Sequence, residues 1–335
     1  MRPLLLVIIS LLTACDGPDQ DMGPGRATED FFAGRTITYI VATNPGGGYD
    51  TYARLVARYM EKHLGGANVR IRNVPGAGNI VGANQLYVSE PDGLTIGTFN
   101  TGLIYAQLLR RPGIRFDLSE LSWIGKAASD PRVLIVSRES GLRSIEDLLD
   151  QDHPLLFGSS GPGSASHNET LFLKKMLDLD VRLVNGLGGN KAQMSMLRGE
   201  IVGIFASYSA LRPFVESGSG IVLLHINGQH QFGDTVPSAE SLVHDEAGAV
   251  LLSLIRTTAA LGRLTAAPPG TGPEVLARLR SAYAAALADP GLLAEAKRLR
   301  IPIDPLIGGE VAEMVSAALD LTPLELAALE TVSSD

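Results

Sequence analysis

The sequence predicts an α/β protein of two lobes, each a parallel-rich sheet flanked by helices. Three observations carry that expectation. Short apolar runs alternate along the chain with segments of helical period, the pattern of strands joined by crossover helices. A length of 335 residues is large for one hydrophobic core and comfortable for two domains. The order strand, glycine-rich loop, helix occurs twice, near residues 46 and 160. With 45% hydrophobic and 19% charged residues the chain has a globular composition, and its 37 glycines suit many tight turns.

In the first half, a strand is expected at 36–42, followed by the loop Asn44-Pro45-Gly46-Gly47-Gly48-Tyr49-Asp50-Thr51. The helix after it places Tyr52, Leu55, Val56, Tyr59, Met60 and Leu64 on one face. A strand at 69–74, a helix through Leu86 and a strand at 94–99 complete a βαβαβ order. The second set begins with a strand at 133–136, a short helix at 144–149 with Ser144 as N-cap, and a strand at 155–157 running into Gly158-Ser159-Ser160-Gly161-Pro162-Gly163-Ser164 and a helix. Strands at 181–184, 201–205 and 221–225 alternate with helices at 190–197 and through Val215. The last third reads as helical. One helix opens near Pro273 and buries Val275, Leu276, Leu279, Tyr283 and Leu287, and others are expected at 290–300 and 309–331.

The N-terminus reads as an export signal. Arg2 gives a short positive region and residues 4–12 an apolar stretch too short to span a bilayer. Leu12-Thr13-Ala14-Cys15 resembles the lipobox of bacterial lipoproteins, which implies a signal peptide at 1–14 and a lipidated Cys15. A flexible tether is expected over 15–33, and Asp16 after the cysteine resembles an inner-membrane retention signal. Cys15 is the only cysteine, so no disulfide framework exists. Without Arg2 the chain has 27 basic against 36 acidic residues, about −9, which argues against nucleic acid as a partner.

A glycine-rich loop between strand and helix leaves backbone N–H groups converging on one point, at the positive end of the helix dipole. Two such loops facing each other across a cleft would each grip an anionic end of a small acid without any arginine. Hydroxyls at Thr51, Ser159, Ser160, Ser164 and Ser166 and amides at Asn44 and Asn100 add directional hydrogen bonds. Asp50 is expected to cap the helix or to hold the loop in shape. Other chemistries lack their spacing. There is no Gly-x-Ser-x-Gly elbow for a hydrolase, and His167 belongs to a helix start rather than to a triad. Gly76-Ala77-Gly78 would need glycine at Val81 to bind a dinucleotide, and no glycine-rich loop carries the Lys-Ser or Lys-Thr of a nucleotide-phosphate loop. The six histidines are scattered, so neither a metal nor a cofactor is expected.

These motifs resemble, in order along nearly the whole chain after the leader, those of the tripartite tricarboxylate transporter substrate-binding proteins, the TctC or Bug family. The resemblance rests on Pro45-Gly46-Gly47-Gly48-Tyr49-Asp50 with Ala53-Arg54, on Asn73-Val74-Pro75-Gly76-Ala77-Gly78, on Pro91-Asp92-Gly93, on 158–167 and on the Pro-Pro-Gly-Thr-Gly-Pro segment at 268–273. It implies a type II periplasmic binding protein, a monomeric two-lobed flytrap that delivers a small carboxylate to a membrane permease and catalyses nothing. The implied lobes are 34–127 plus 249–335, and 128–248.

Ligand contacts implied by the resemblance are Asn44, Gly46, Gly47, Gly48, Tyr49, Asp50 and Thr51 in the first loop, and Asn100 and Thr101 after the third strand. In the second lobe they are Ser159, Ser160, Gly161, Ser164, Ser166 and His167, with Gly188 and Ser207 in two further loops. Many relatives carry Phe-Asp-Asn where this chain has Phe205-Ala206-Ser207, so an amino-acid ligand is not expected. A neutral or hydroxylated second end, or an apolar end facing Tyr208, is expected instead. Ala260-Leu261-Gly262 likewise replaces a common Trp-Phe-Gly, which bears on local packing. The alternative is a sensing or scaffold lipoprotein of the same fold.

Overall fold

The computed structural model describes residues 31–188 and 190–333, so the signal peptide, Cys15 and Asp16 lie outside the described residues. The strands are β1 Thr36–Val41, β2 Asn68–Asn73, β3 Thr95–Thr98, β4 Ser122–Lys126, β5 Arg132–Ser137, β6 Leu155–Gly158, β7 Val181–Val184, β8 Gly203–Ser207, β9 Gly220–Ile226, β10 Leu264–Ala267 and β11 Leu306–Ile307. The helices are α1 Gly48–Met60, α2 Ile80–Tyr87, α3 Gly102–Leu108, α4 Ile145–Leu149, α5 Ala165–Leu177, α6 Asn190–Leu197, α7 Tyr208–Glu216, α8 Gln229–Phe232, α9 Glu246–Ala260, α10 Pro273–Ala288, α11 Pro290–Leu299, α12 Gly309–Leu319 and α13 Pro323–Ser333.

They build two sheets. One has the order β11-β4-β10-β3-β1-β2, the other β7-β6-β8-β5-β9. β1 runs parallel to β2 and β3, and β6 parallel to β7 and β8. β10 is antiparallel to β3, and β5 is antiparallel to β8.

Both sheets are covered on both faces, which is why their strands read as apolar runs rather than alternating ones. In β1, Ile37, Tyr39 and Val41 enter one core while Ile40 enters the core on the other face. In β5, Leu134 and Val136 point one way, Val133 and Ile135 the other. Ser144 caps α4 through a reciprocal pair with Asp147, as its sequence position predicts.

Three expectations are corrected here. Phe32 is buried in the first sheet's core, so 31–33, read as tether, belong to the fold. The single helix expected at 309–331 is two, because Thr322 and Glu325 exchange hydrogen bonds that start a new helix with Pro323 in its first turn. The expected first-lobe span 249–335 also includes two helices that pack with the second sheet. Leu251, Leu252, Leu254 and Ile255 of α9 and Leu329 and Val332 of α13 share a core with Leu134 and Phe157.

Candidate functional site

In open α/β sheets ligands gather at the carboxyl ends of parallel strands. Here the ends of both sheets meet around one cavity of about 370 Å³. From the first sheet come the loops after β1, β2 and β3, bringing Asn44, Gly47, Gly48 and Tyr49, then residues 75–79, then Asn100. From the second come Ser160 and Ser166 after β6, Gly186 and Gly188 after β7, and Ile204, Ala206 and Ser207 at the end of β8.

The two sides are in contact. A Cβ on Gly188 would lie 3.5 Å from Asn44 Nδ2, and one on Gly46 would lie 3.5 Å from Asn190 Nδ2. Around the cleft, the region of Gly78 meets the backbone of Pro162 and Ser164. The Asn100 side-chain oxygen accepts hydrogen bonds from the first amides of α3 and α5, Gly102 N at 2.8 Å and Ala165 N at 2.9 Å.

The first loop brings an open helix start to the cavity. Gly47 is the N-cap of α1 and no side chain caps that helix, so its first turn meets the cavity without a side-chain acceptor. Asp50 is not the cap. It lies buried within the first turn and accepts from Gly46 N at 2.9 Å, from Arg54 Nε at 2.9 Å and from Asn73 Nδ2 at 2.9 Å, which holds the loop in shape. Burial opposes ionisation of that carboxyl, but the donors from Arg54, Gly46 and Asn73 prevail and keep its pKa below the ordinary aspartate value. Thr51 turns back to donate to Gly47 O.

The second loop departs from the expectation of free amides. Ser160 N donates to Ser166 Oγ at 3.0 Å and Gly161 N to Ser159 Oγ at 3.2 Å. Ser164 caps α5 and Ser159 donates to Asn185 Oδ1 at 2.6 Å. This loop therefore offers hydroxyls rather than a nest of N–H groups. Ser159, Gly161, Ser164 and His167 stand behind the lining, as do Gly46, Asp50, Thr51 and Thr101 in the first lobe. His167 bonds Asn185, and burial lowers its pKa, so the ring is neutral at pH 7. Tyr208 packs on Phe232 instead of facing the cavity, which removes the expected apolar wall there.

The cavity is also not free of arginine. Arg132 and Arg263 both line it while being only 5% and 3% exposed. Arg132 is the first residue of β5, paired in register with Ser207, and its Nη1 donates to Ser207 Oγ at 2.7 Å. Its Nε donates to Glu169 at 2.6 Å, and burial holds the pKa of that carboxyl above the ordinary glutamate value, the guanidinium opposing only part of the rise. Arg263 precedes β10 and lies over the rings of Tyr49 and Tyr52, at 4.4 Å and 4.9 Å. Its Nη2 donates to Asp130 and to Ser209, each at 2.7 Å. The sequence pattern points to loops after parallel strands. β5 and β10 run the opposite way, so their beginnings, not their ends, arrive at the same edge.

Among the described residues, no Asp or Glu side chain lines the cavity and no His, Cys, Asp and Glu cluster is arranged to hold a metal. Among the described residues, too, no helix is long and apolar enough to cross a membrane.

Comparison with known proteins gives this geometry a context. Residues 52–299 match the tripartite tricarboxylate transporter family receptor, TctC. A protein from the tcbD–tcbE intergenic region of Pseudomonas sp. strain P51 is 27% identical over 281 residues, which cover 81% of this chain and 80% of that one. The periplasmic binding protein BugD superposes with a TM-score of 0.75 at 20% identity, over 90% of this chain and 99% of its own. MatC from Rhodopseudomonas palustris, solved with bound malate, gives 0.71 at 22% identity over 90% and 99%. The fold is thus that of the periplasmic binding proteins, with one lobe on each sheet, and the chain belongs to the tripartite tricarboxylate transporter receptor family.

Proposed function

We propose that this chain is an extracytoplasmic, lipid-anchored receptor that takes a small carboxylate into the interlobe cavity and presents it to the permease of a tripartite tricarboxylate transporter. It binds and releases without chemistry. The observation that carries this reading is the cavity itself, lined from both lobes, open to the uncapped start of α1 and, among the described residues, lined by no acidic side chain. Malate bound in MatC, a protein of the same fold, supports a carboxylate as the ligand. Contact with both lobes would favour the closed form, which is then the state a permease distinguishes from the empty one. Contacts with the ligand are proposed for Asn44, Gly47, Gly48, Tyr49, Asn100, Ser160, Ser166, Gly188 and Ser207, all of which line the cavity.

Mass spectrometry of the natively purified protein, followed by thermal shift of stripped protein against a carboxylate panel, tests the reading. A cognate acid at a hundredfold excess over its dissociation constant stabilises the fold by about 2.7 kcal/mol. A stripped protein that no acid in the panel stabilises would refute the assignment. For the anchor, Cys15→Ser is expected to move the protein from the membrane fraction to the soluble one as a monomer. An unmodified Cys15 in a wild-type protein that is already soluble would refute lipidation.

A further inference from the structure

We propose that Arg132 determines specificity in the cavity by selecting ligands with a second acidic group, bound at its guanidinium and the Ser207 hydroxyl, over ligands with one acid end. The inference rests on the carboxylate-receptor reading and sharpens it.

A guanidinium carries five N–H donors, no acceptor, and keeps its charge. In Arg132 the hydrogen bonds formed are Nε to Glu169 and Nη1 to Ser207. Nη2 lies against the same Glu169 oxygen as an ion pair, so the atom left to meet a ligand is Nη1, which has a second hydrogen beyond the one given to Ser207. Ser207 Oγ accepts from Arg132, which leaves its own hydrogen to donate to the same ligand group.

The guanidinium is held in place rather than free to follow a ligand. Glu169, fully buried, fixes it from behind and also accepts from Thr258 Oγ1 at 3.4 Å, which in turn bonds the buried Tyr105 hydroxyl at 2.7 Å. A guanidinium fixed in this way presents Nη1 beside the Ser207 hydroxyl, one donor for each oxygen of a carboxylate.

Position completes the argument. Arg132 belongs to the second lobe, across the cavity from the start of α1 in the first, so a ligand with an acid at each end would engage both lobes at once. Ala206 and Ile204 in the same lining carry no charge, and among the described residues no acidic side chain lines the cavity to repel a second anion. Arg263, the other arginine of the lining, is clamped over the rings of Tyr49 and Tyr52 on the first-lobe side, so Arg132 is the arginine that the second lobe brings to the cavity.

The test is calorimetry on the full mature chain stripped of retained ligand, with succinate and adipate, their half-amides succinamate and adipamate, and the monoacids butyrate and hexanoate. At least one diacid is expected to bind about tenfold or more tightly than its own half-amide. In the double variant Arg132→Met/Glu169→Gln, which removes both charges of the buried pair together, that preference is expected to fall to about threefold or less, with half-amide binding retained. Should the double variant not fold, Arg132→Lys, which keeps the charge but loses the guanidinium, is expected to show a reduced preference. Equal binding of each diacid and its half-amide to the wild type, or a preference unchanged in a folded variant, overturns the inference and leaves the receptor reading intact. If none of the acids binds the wild type, both fall.

Discussion

Replacing Gly78 by alanine would put a methyl group 2.3 Å from the carbonyl oxygen of Pro162 and 2.8 Å from the amide nitrogen of Ser164. Both neighbours are backbone atoms of the opposite lobe, so no side chain can swing aside. Restoring ordinary contact from 2.3 to about 3.4 Å requires the lobes to part there by about 1.1 Å. Overpacking of this kind costs about 1–3 kcal/mol, and because the clash exists only where the lobes touch, it falls on the closed form. Ligand binding should therefore weaken by about 5- to 150-fold. Gly78 also has φ +64, so alanine adds strain of about 1–2 kcal/mol that is present in any lobe arrangement and lowers Tm without changing affinity. Gly34→Ala separates the two effects, since its φ is +68 and nothing lies within 4 Å of the added methyl. Calorimetry with the tightest-binding acid should show the affinity loss in the Gly78 variant alone, with similar losses of Tm in both. Wild-type affinity in folded Gly78→Ala would refute the reasoning.

Arg263→Met leaves Asp130 buried without its ion-pair partner, which should lower unfolding stability by about 3–5 kcal/mol in a denaturant titration, with Asp130→Asn on the same chain recovering part of it. An unchanged midpoint would mean the pair contributes nothing. Asp50→Asn should cost about 1.5–3 kcal/mol at pH 7, where the carboxylate is ionised and holds Gly46, Arg54 and Asn73. Because the folded pKa is depressed, that stability is complete above the unfolded value of about 3.9 and is lost as pH falls through the folded value. The Tm gap between wild type and variant should thus close in acid, and a gap that persists would contradict the role assigned to the charge. Thr322→Ala removes the start signal of α13 and should cost about 1 kcal/mol, seen as faster amide exchange in 323–333 than in α12.

Much of the architecture was legible because it depends on local pattern. The strand Val181–Val184 and the helix Asn190–Leu197 coincide with the apolar run and the helical spacing that predict them. What was illegible depends on residues distant in sequence. Arg132 meets Glu169, and Arg263 meets Asp130, from unconnected parts of the chain, and an arginine in an apolar strand carries no local mark of a buried partner. The membership of α9 and α13 in the second core was hidden for the same reason, since an amphipathic helix does not state which sheet it covers. In the two glycine-rich loops the sequence showed which N–H groups exist, but not that Ser159, Ser166 and Asn100 would consume those of the second loop.

The Asn100 oxygen, shared by the opening amides of one helix from each lobe, makes that residue a mechanical joint as well as part of the wall. Any rotation that separates α3 from α5 must break one of its two bonds, and the geometry that Asn100 keeps with Gly102, two residues away in its own turn, leaves the Ala165 bond as the one to go. The Ala165 amide would then exchange a fixed acceptor for solvent. Its nitrogen resonance should shift with opening and return with ligand, so one backbone signal would report whether the two lobes are together.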